Sequence, residues 1–142
     1  MNFMQDKIFV DTNIFVYSYS DDDIQKHAKA KKLLQKDLDN DFIIISIQVL
    51  NEFYSVMSKA KLTHQTITQQ INEIVAQTYV KPISIETINR CLKIKEKYNY
   101  SWWDSLVLVS ALENDCKIVY TEDMQHLQII ENSLKLINPF VI

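Results

Sequence analysis

The chain reads as an α/β domain built on a mostly parallel sheet, and three observations predict it. Short apolar runs at Lys7–Val10, Phe42–Ile45 and Lys117–Tyr120 alternate with longer stretches of helical periodicity, the pattern of strands joined by helical crossovers. Two of these runs stop at polar residues, Asp11-Thr12-Asn13 and Thr121-Glu122-Asp123, which delivers carboxylates to the sheet edge where open α/β folds bind ligands. With 142 residues, 47% hydrophobic and 23% charged, the chain has the apolar material for one core and is expected to form a single domain over 1–142.

Composition narrows the function. The net charge of -3 argues against a protein that grips nucleic acid with its whole surface, while leaving a local basic face open. Met1 to Asp6 carries no cleavable signal pattern, and the longest apolar runs, Phe42–Ile47 and Leu106–Val109, are too short to span a bilayer; a soluble, cytoplasmic protein is expected. Cys91 and Cys116 lack partners at metal-ligand spacing and read as reduced, packed residues. There is no glycine at all, which excludes phosphate-cradling loops whose backbone must approach the ligand closely. Whatever is bound is bound by side chains.

Taken in order, strand 7–10 is followed by a short helical turn at Ile14–Tyr19. Asp21-Asp22-Asp23 then starts an amphipathic helix to about Lys36, with Ala28, Leu33 and Leu34 inward. Its lysines, Lys26, Lys29, Lys31, Lys32 and Lys36, read as a solvated face or as a positive rim for a polyanion. The β-branched run from Phe42, bounded by Asp41, reads as a buried strand. Ser46 caps the next helix, where Val49, Phe53 and Val56 share a stripe with Glu52. A carboxylate in an apolar stripe is costly without a partner, and Lys59 is one candidate.

Thr66–Tyr79 reads as a helix presenting Ile67, Ile71, Ile74 and Val75 inward. Val80–Ile83 is a short extended piece held by Pro82 at a sheet edge, and Ser84 caps a helix to about Lys97 through Ile85, Ile88, Cys91, Leu92 and Ile94. Ser101-Trp102-Trp103-Asp104 opens a helix that is apolar all round to Asn114, as expected of one buried against the sheet. Asp104 also suits a capping box with Ser101. Asp123 would cap a helix at Met124–Ile130, and Lys135–Asn138 is the last strand.

In a parallel sheet with right-handed crossovers the loops after the strands open on one edge. Asp11 and Asp123 sit there, Glu52 lies in the second turn of a helix that begins there, and Asp104 joins them if its helix starts at that edge. Carboxylates within about 5 Å of each other repel by roughly 3 kcal/mol per ionised pair at an effective dielectric near 20, so protons or a cation must balance them. An all-oxygen donor set without a His or Cys cluster suits a hard ion, Mg2+ or Mn2+. Such a site suits phosphodiester hydrolysis.

Asp11-Thr12-Asn13, Asn51-Glu52-Phe53, Trp103-Asp104-Ser105-Leu106 and Thr121-Glu122-Asp123 resemble the four acidic motifs of the PIN domain, especially of the VapC-type toxin ribonucleases, in their order and over essentially the whole chain. The resemblance implies a three-layer α/β/α sandwich, Mg- or Mn-dependent endoribonuclease activity on RNA, homodimerisation and a cognate antitoxin. Carried over by position, Asp11, Glu52, Asp104 and Asp123 match the acidic, metal-holding and catalytic quartet. Thr12, Asn13 and Thr121 match supporting positions, and Glu122 is an alternative to Asp123. The chain departs from its relatives in lacking a glycine after the last motif, where Met124-Gln125-His126-Leu127 stands.

His126 reads as a surface or substrate-binding residue. Trp102 and Trp103 read as core, dimer or base-stacking aromatics, and Tyr17, Tyr19, Tyr98 and Tyr100 are similarly open. A different class of function is a non-catalytic acidic-pocket module that binds a metal or a partner protein. A phosphatase of the haloacid-dehalogenase type would want an acid at position 13, where Asn13 stands.

Overall fold

The structure, a computed structural model, describes residues 6–40 and 42–141, the side chains of 37–40 excepted. The readings placed on Met1–Gln5 and on Asp41 as a strand boundary lie outside the described residues. The element order is β1 (Lys7–Val10), α1 (Thr12–Tyr19), α2 (Ile24–Asn40), β2 (Phe42–Ser46), α3 (Ile47–Lys59), α4 (His64–Gln77), β3 (Tyr79–Lys81), α5 (Ile85–Tyr98), α6 (Trp102–Glu113), β4 (Ile118–Tyr120), β5 (Ile129–Ile130) and β6 (Leu134–Ile137).

The strands form one six-stranded sheet in the order β3-β2-β1-β4-β6-β5. Every neighbouring pair is parallel except β5–β6. From β1 the chain moves outward through β2 to β3, then returns across the sheet to β4. With right-handed crossovers that reversal puts α1 to α4 over one face and α5 and α6 over the other, so the fold is an α/β/α sandwich. The reversal falls between β1 and β4, which makes the carboxyl ends of these two strands the switch point of the sheet. Their register, Val10 opposite Tyr120, continues one bond further through the Asp11 N–H to the Tyr120 carbonyl at 3.0 Å. Asp11 and Thr121 therefore leave the sheet side by side.

Burial explains why these segments hold. Phe9, Val10, Ile45 and Val119 are fully buried, as expected for central strands covered on both faces. In α6 every residue from Ser105 to Ala111 is buried, which accounts for its lack of a polar face. Caps mark the helix starts: the Asp23 carboxylate accepts the Lys26 N–H, Ser84 and Thr87 form a reciprocal capping box on α5, and Ser101 Oγ accepts the Asp104 N–H. Cys91 and Cys116 are free and buried, and burial pushes the Cys116 thiol up to about 12. No helix of the described residues is long and apolar enough to cross a membrane.

Several sequence expectations need correction. Residues Met124–Ile130 are not a helix: the Leu127 N–H donates to the Leu136 carbonyl at 2.7 Å and Ile129 pairs with Lys135, so the segment is captured by β6 as an antiparallel edge. Its apolar residues alternate, Ile129 exposed and Ile130 buried, a period of two that its short length disguised. Ala28 faces solvent and Ala30 is the buried alanine of α2; likewise Val56, Val75, Ile85 and Leu92 are exposed, with Met57 taking the inward place next to Val56. These errors sit at the borders of amphipathic stripes, where the helix rotation is set by tertiary packing.

A chain without glycine must still make left-handed turns. Among the described residues it does so at Lys61, Asn99, Asp115, Leu127, Glu131 and Asn132, with Asn and Asp at three of these six. Leu127 is the apolar residue among these six, and it holds φ 71° while 54% exposed. Leu127→Gly should therefore raise stability by about 1 kcal/mol in urea unfolding, because the left-handed penalty is removed and little packing is lost. A variant no more stable than the parent would contradict strain at this turn.

Candidate active site

Asp11 is placed by two elements at once. It follows β1 and is the N-cap of α1, its Oδ1 accepting the Thr12 N–H at 2.8 Å, and it is only 4% exposed. Its other oxygen accepts a hydrogen bond from Thr121 Oγ1 at 2.9 Å, across the switch point. The same Thr121 hydroxyl accepts the Asp123 N–H at 3.2 Å, which bends the chain after β4 towards Asp11. Asp104 arrives from the first turn of α6, whose start does lie at this edge. Oxygen atoms of Asp11, Asp104 and Asp123 lie within 4.8 Å of one another.

Glu52 stands beside this trio. Thr12 Oγ1 donates to its Oε2 at 3.0 Å and Gln48 Nε2 donates to its Oε1 at 2.8 Å, so both carboxylate oxygens have fixed directions. The partner suggested for Glu52 in sequence, Lys59, is not in contact with it among the described residues; Thr12 and Gln48 serve instead. Asn13 Nδ2 donates to Asp123 Oδ2 at 2.8 Å. Glu122 turns elsewhere, accepting from Tyr17 Oη at 2.5 Å and pairing with Lys26 Nζ at 2.8 Å. Between the two acids of that motif, Asp123 is the one that joins the cluster.

The electrostatics follow from this crowding. Burial, reinforced by Asp123 and Glu52, pushes the Asp11 carboxyl up to about 7, against the lowering effect of the Thr12 and Thr121 hydrogen bonds. Asp104 is raised by burial and by Asp123 and Glu52, and Asp123 by burial and by Glu122 and Glu52. Three carboxyls raised together, with no His or Cys among them, form a donor set of hard oxygens that fits Mg2+ or Mn2+.

Gln48 is the residue that sequence reasoning missed. Its amide nitrogen donates to Glu52 and to the Trp103 carbonyl at 3.1 Å, which ties α3 to the residue immediately before Asp104. The signal was there: Gln48 precedes Glu52 by one helical turn on the same face. Lys26 belongs neither to a solvated face nor to a rim for a polyanion but closes the Tyr17–Glu122 pair behind the cluster, whereas Lys31 and Lys32 are solvated. Tyr19, Tyr98 and Tyr100 have structural partners in Glu73, Glu131 and Gln128, and His126 Nδ1 accepts the Asn138 N–H at 2.9 Å.

A parallel sheet covered on both faces, with three clustered carboxyls at its switch point and none of the phosphate-cradling glycines, defines an α/β domain with a carboxylate centre. The chain belongs to the PIN domain family, whose model matches residues 8–131. The Mycobacterium tuberculosis toxin VapC20, described as cleaving the sarcin–ricin loop, is similar at 18% identity with a TM-score of 0.69, over 82% of this chain and 89% of its own. VapBC2 of Rickettsia felis, solved on a promoter DNA fragment, matches at 19% identity with a TM-score of 0.69, over 92% of this chain and 98% of that one. A toxin–antitoxin complex from Klebsiella pneumoniae matches at 19% identity with a TM-score of 0.66, over 93% and 97%. At these identities the likeness concerns the fold. No curated protein sequence matches the chain.

A carboxyl held at about 7 when folded and near 3.9 when unfolded binds its proton more tightly in the folded state. Its stabilising contribution is full below about pH 4 and is lost as pH rises through 7, by on the order of 4 kcal/mol. In EDTA, wild-type protein should thus lose stability relative to Asp11→Asn between pH 5 and pH 8, read by urea unfolding at each pH. A difference between the two proteins that stays constant with pH would contradict an uncompensated buried Asp11.

Proposed function

We propose that this protein is a metal-dependent endoribonuclease that hydrolyses RNA phosphodiester bonds, the toxin of a type II toxin–antitoxin pair. The observation that carries the reading is the close approach of Asp11, Asp104 and Asp123 at the switch point of a PIN-family sheet. In this reading these three carboxylates hold Mg2+ or Mn2+, with Glu52 adding negative charge beside them. A divalent ion held there supplies Lewis-acid activation of water and charge neutralisation on the phosphodiester.

The chain's own residues set the geometry. The Thr12 hydroxyl orients Glu52, the Thr121 hydroxyl orients Asp11, and Asn13 fixes the rotamer of Asp123. Glu52, held by two donors, is a proton acceptor of defined direction. The likeness in fold to toxins and toxin–antitoxin complexes supports a cognate antitoxin as protein partner, and the family resemblance supports a homodimer acting in the cytoplasm.

The test is incubation of purified, antitoxin-free protein with a total RNA pool, transfer RNA included, in Mn2+, Mg2+ or EDTA. Discrete fragments should form only with metal. Asp11→Asn and Asp104→Asn should form none while remaining folded, and Asn13→Ala should slow cleavage by about 10- to 100-fold, as loss of a ligand-orienting residue does. Intact RNA throughout, with Mn2+ still raising the melting temperature, would instead favour a non-catalytic module that binds a metal or a partner in its acidic pocket.

A further inference from the structure

A groove of about 730 Å³ runs between α3, the start of α5 and the start of α6, and it opens beside Glu52 and Gln48. Its two walls differ. One is apolar and includes the indole of Trp103, 60% exposed, with Ile88 and Leu106. The other is a stripe of α3 in which Asn51, Ser55 and Lys59 follow the exposed Ile47 at one-turn intervals. Among the described residues the Asn51 amide has no hydrogen-bond partner and Lys59 no ion pair. Lys59 lies seven positions beyond Glu52 along α3, about 10 Å of helix axis.

The groove is physically continuous with the acidic cluster. Gln48 Nε2 holds both the Trp103 carbonyl and Glu52, and Asp104 is the next residue after Trp103. A molecule whose reacting phosphate lies at the carboxylates thus has its adjoining atoms at Trp103. An exposed flat aromatic face, a free amide with both donor and acceptor, and an unpaired cation further along are together complementary to a base, its polar edge and a neighbouring phosphate. A purely apolar protein face would leave the amide and the ammonium unsatisfied.

We propose that this groove is a nucleobase subsite, in which the unpaired base beside the cleaved phosphodiester stacks on Trp103 and meets Asn51 at its edge, with Lys59 receiving a backbone phosphate. The proposal rests on the ribonuclease reading above and deepens it by naming the side chains that hold that base, which is unpaired because a base inside an A-form helix presents no face to an indole.

The test uses full-length wild type, Trp103→Ala, Trp103→Phe and Asn51→Ala. Each is given a fluorescent oligoribonucleotide carrying a site mapped from the total-RNA digest, both as a single strand and annealed into a duplex. Trp103→Ala should raise KM by about tenfold, within what one base–aromatic stack supplies, with kcat less affected. Trp103→Phe should recover most of that loss, Mn2+ affinity should be unchanged, and the duplex should resist cleavage.

An unchanged KM in Trp103→Ala, or equal cleavage of single strand and duplex, would overturn the subsite while leaving the nuclease reading intact. Loss of Mn2+ affinity in Trp103→Ala would overturn it by assigning Trp103 to the positioning of Asp104. A shift of Trp103→Ala to a smaller oligomer with unaltered KM would overturn it in favour of a contact between two copies of the chain. If wild type cuts no RNA at all, the nuclease reading fails first and the subsite with it.

Discussion

The burial of Asp11 at the point where the sheet reverses direction is the constraint on which the rest of the structure depends. Fully covered by α1 and by the chain leaving β4, this carboxyl can be charged only if something close to it is positive or donates hydrogen bonds. Thr12 and Thr121 donate, but their effect is smaller than the cost of burial, and Asp123 and Glu52 raise that cost further. A domain whose total stability is on the order of 5 to 15 kcal/mol does not keep such an arrangement without an offsetting cation or protons. The acidic centre is therefore a place where the fold gives up stability to hold charge ready.

That charge is held by parts from every layer of the molecule. β1 supplies Asp11, β4 supplies Thr121 and the turn to Asp123, α6 delivers Asp104 from one face, and α3 delivers Glu52 from the other. Three small bridges lock these parts: Thr12 between Asp11 and Glu52, Thr121 between Asp11 and Asp123, and Gln48 between Glu52 and the residue before Asp104. The Thr12 and Gln48 bridges span elements that the sheet alone would leave free to shift. The Lys26–Glu122–Tyr17 cluster does similar work behind Asp123, closing α1 and α2 over the β4 loop.

The sequence announced the strands and the acidic motifs because their signals are local. A β-branched run that ends in Asp-Thr-Asn needs no tertiary knowledge to be read as a strand edge, and α6 declares its burial by apolarity on every side. The resemblance to the PIN family then ordered the four acids, and the family match over residues 8–131 agrees with it. What was not legible depends on packing. Whether Glu122 or Asp123 faces the cluster is decided by Lys26, remote in sequence, and the strand at Ile129–Ile130 exists only because β6 offers it a partner. Ile85 and Leu92 look inward on a helical wheel, yet the wheel does not know the rotation at which α5 docks on α6. Gln48 was overlooked because glutamine at a helix start carries no chemical signature until its two partners are seen together.

Completion of the buried carboxyl cluster by a divalent ion follows from the proposed function. It is tested most directly by titrating Mn2+ into the protein calorimetrically in buffers of different ionisation enthalpy, which counts the protons displaced. With Asp11 held at about 7 in the metal-free protein, saturable binding at pH 6 should release protons, and the number released should fall towards zero above pH 8. Absence of saturable binding, or binding with no proton release at pH 6, would contradict the account.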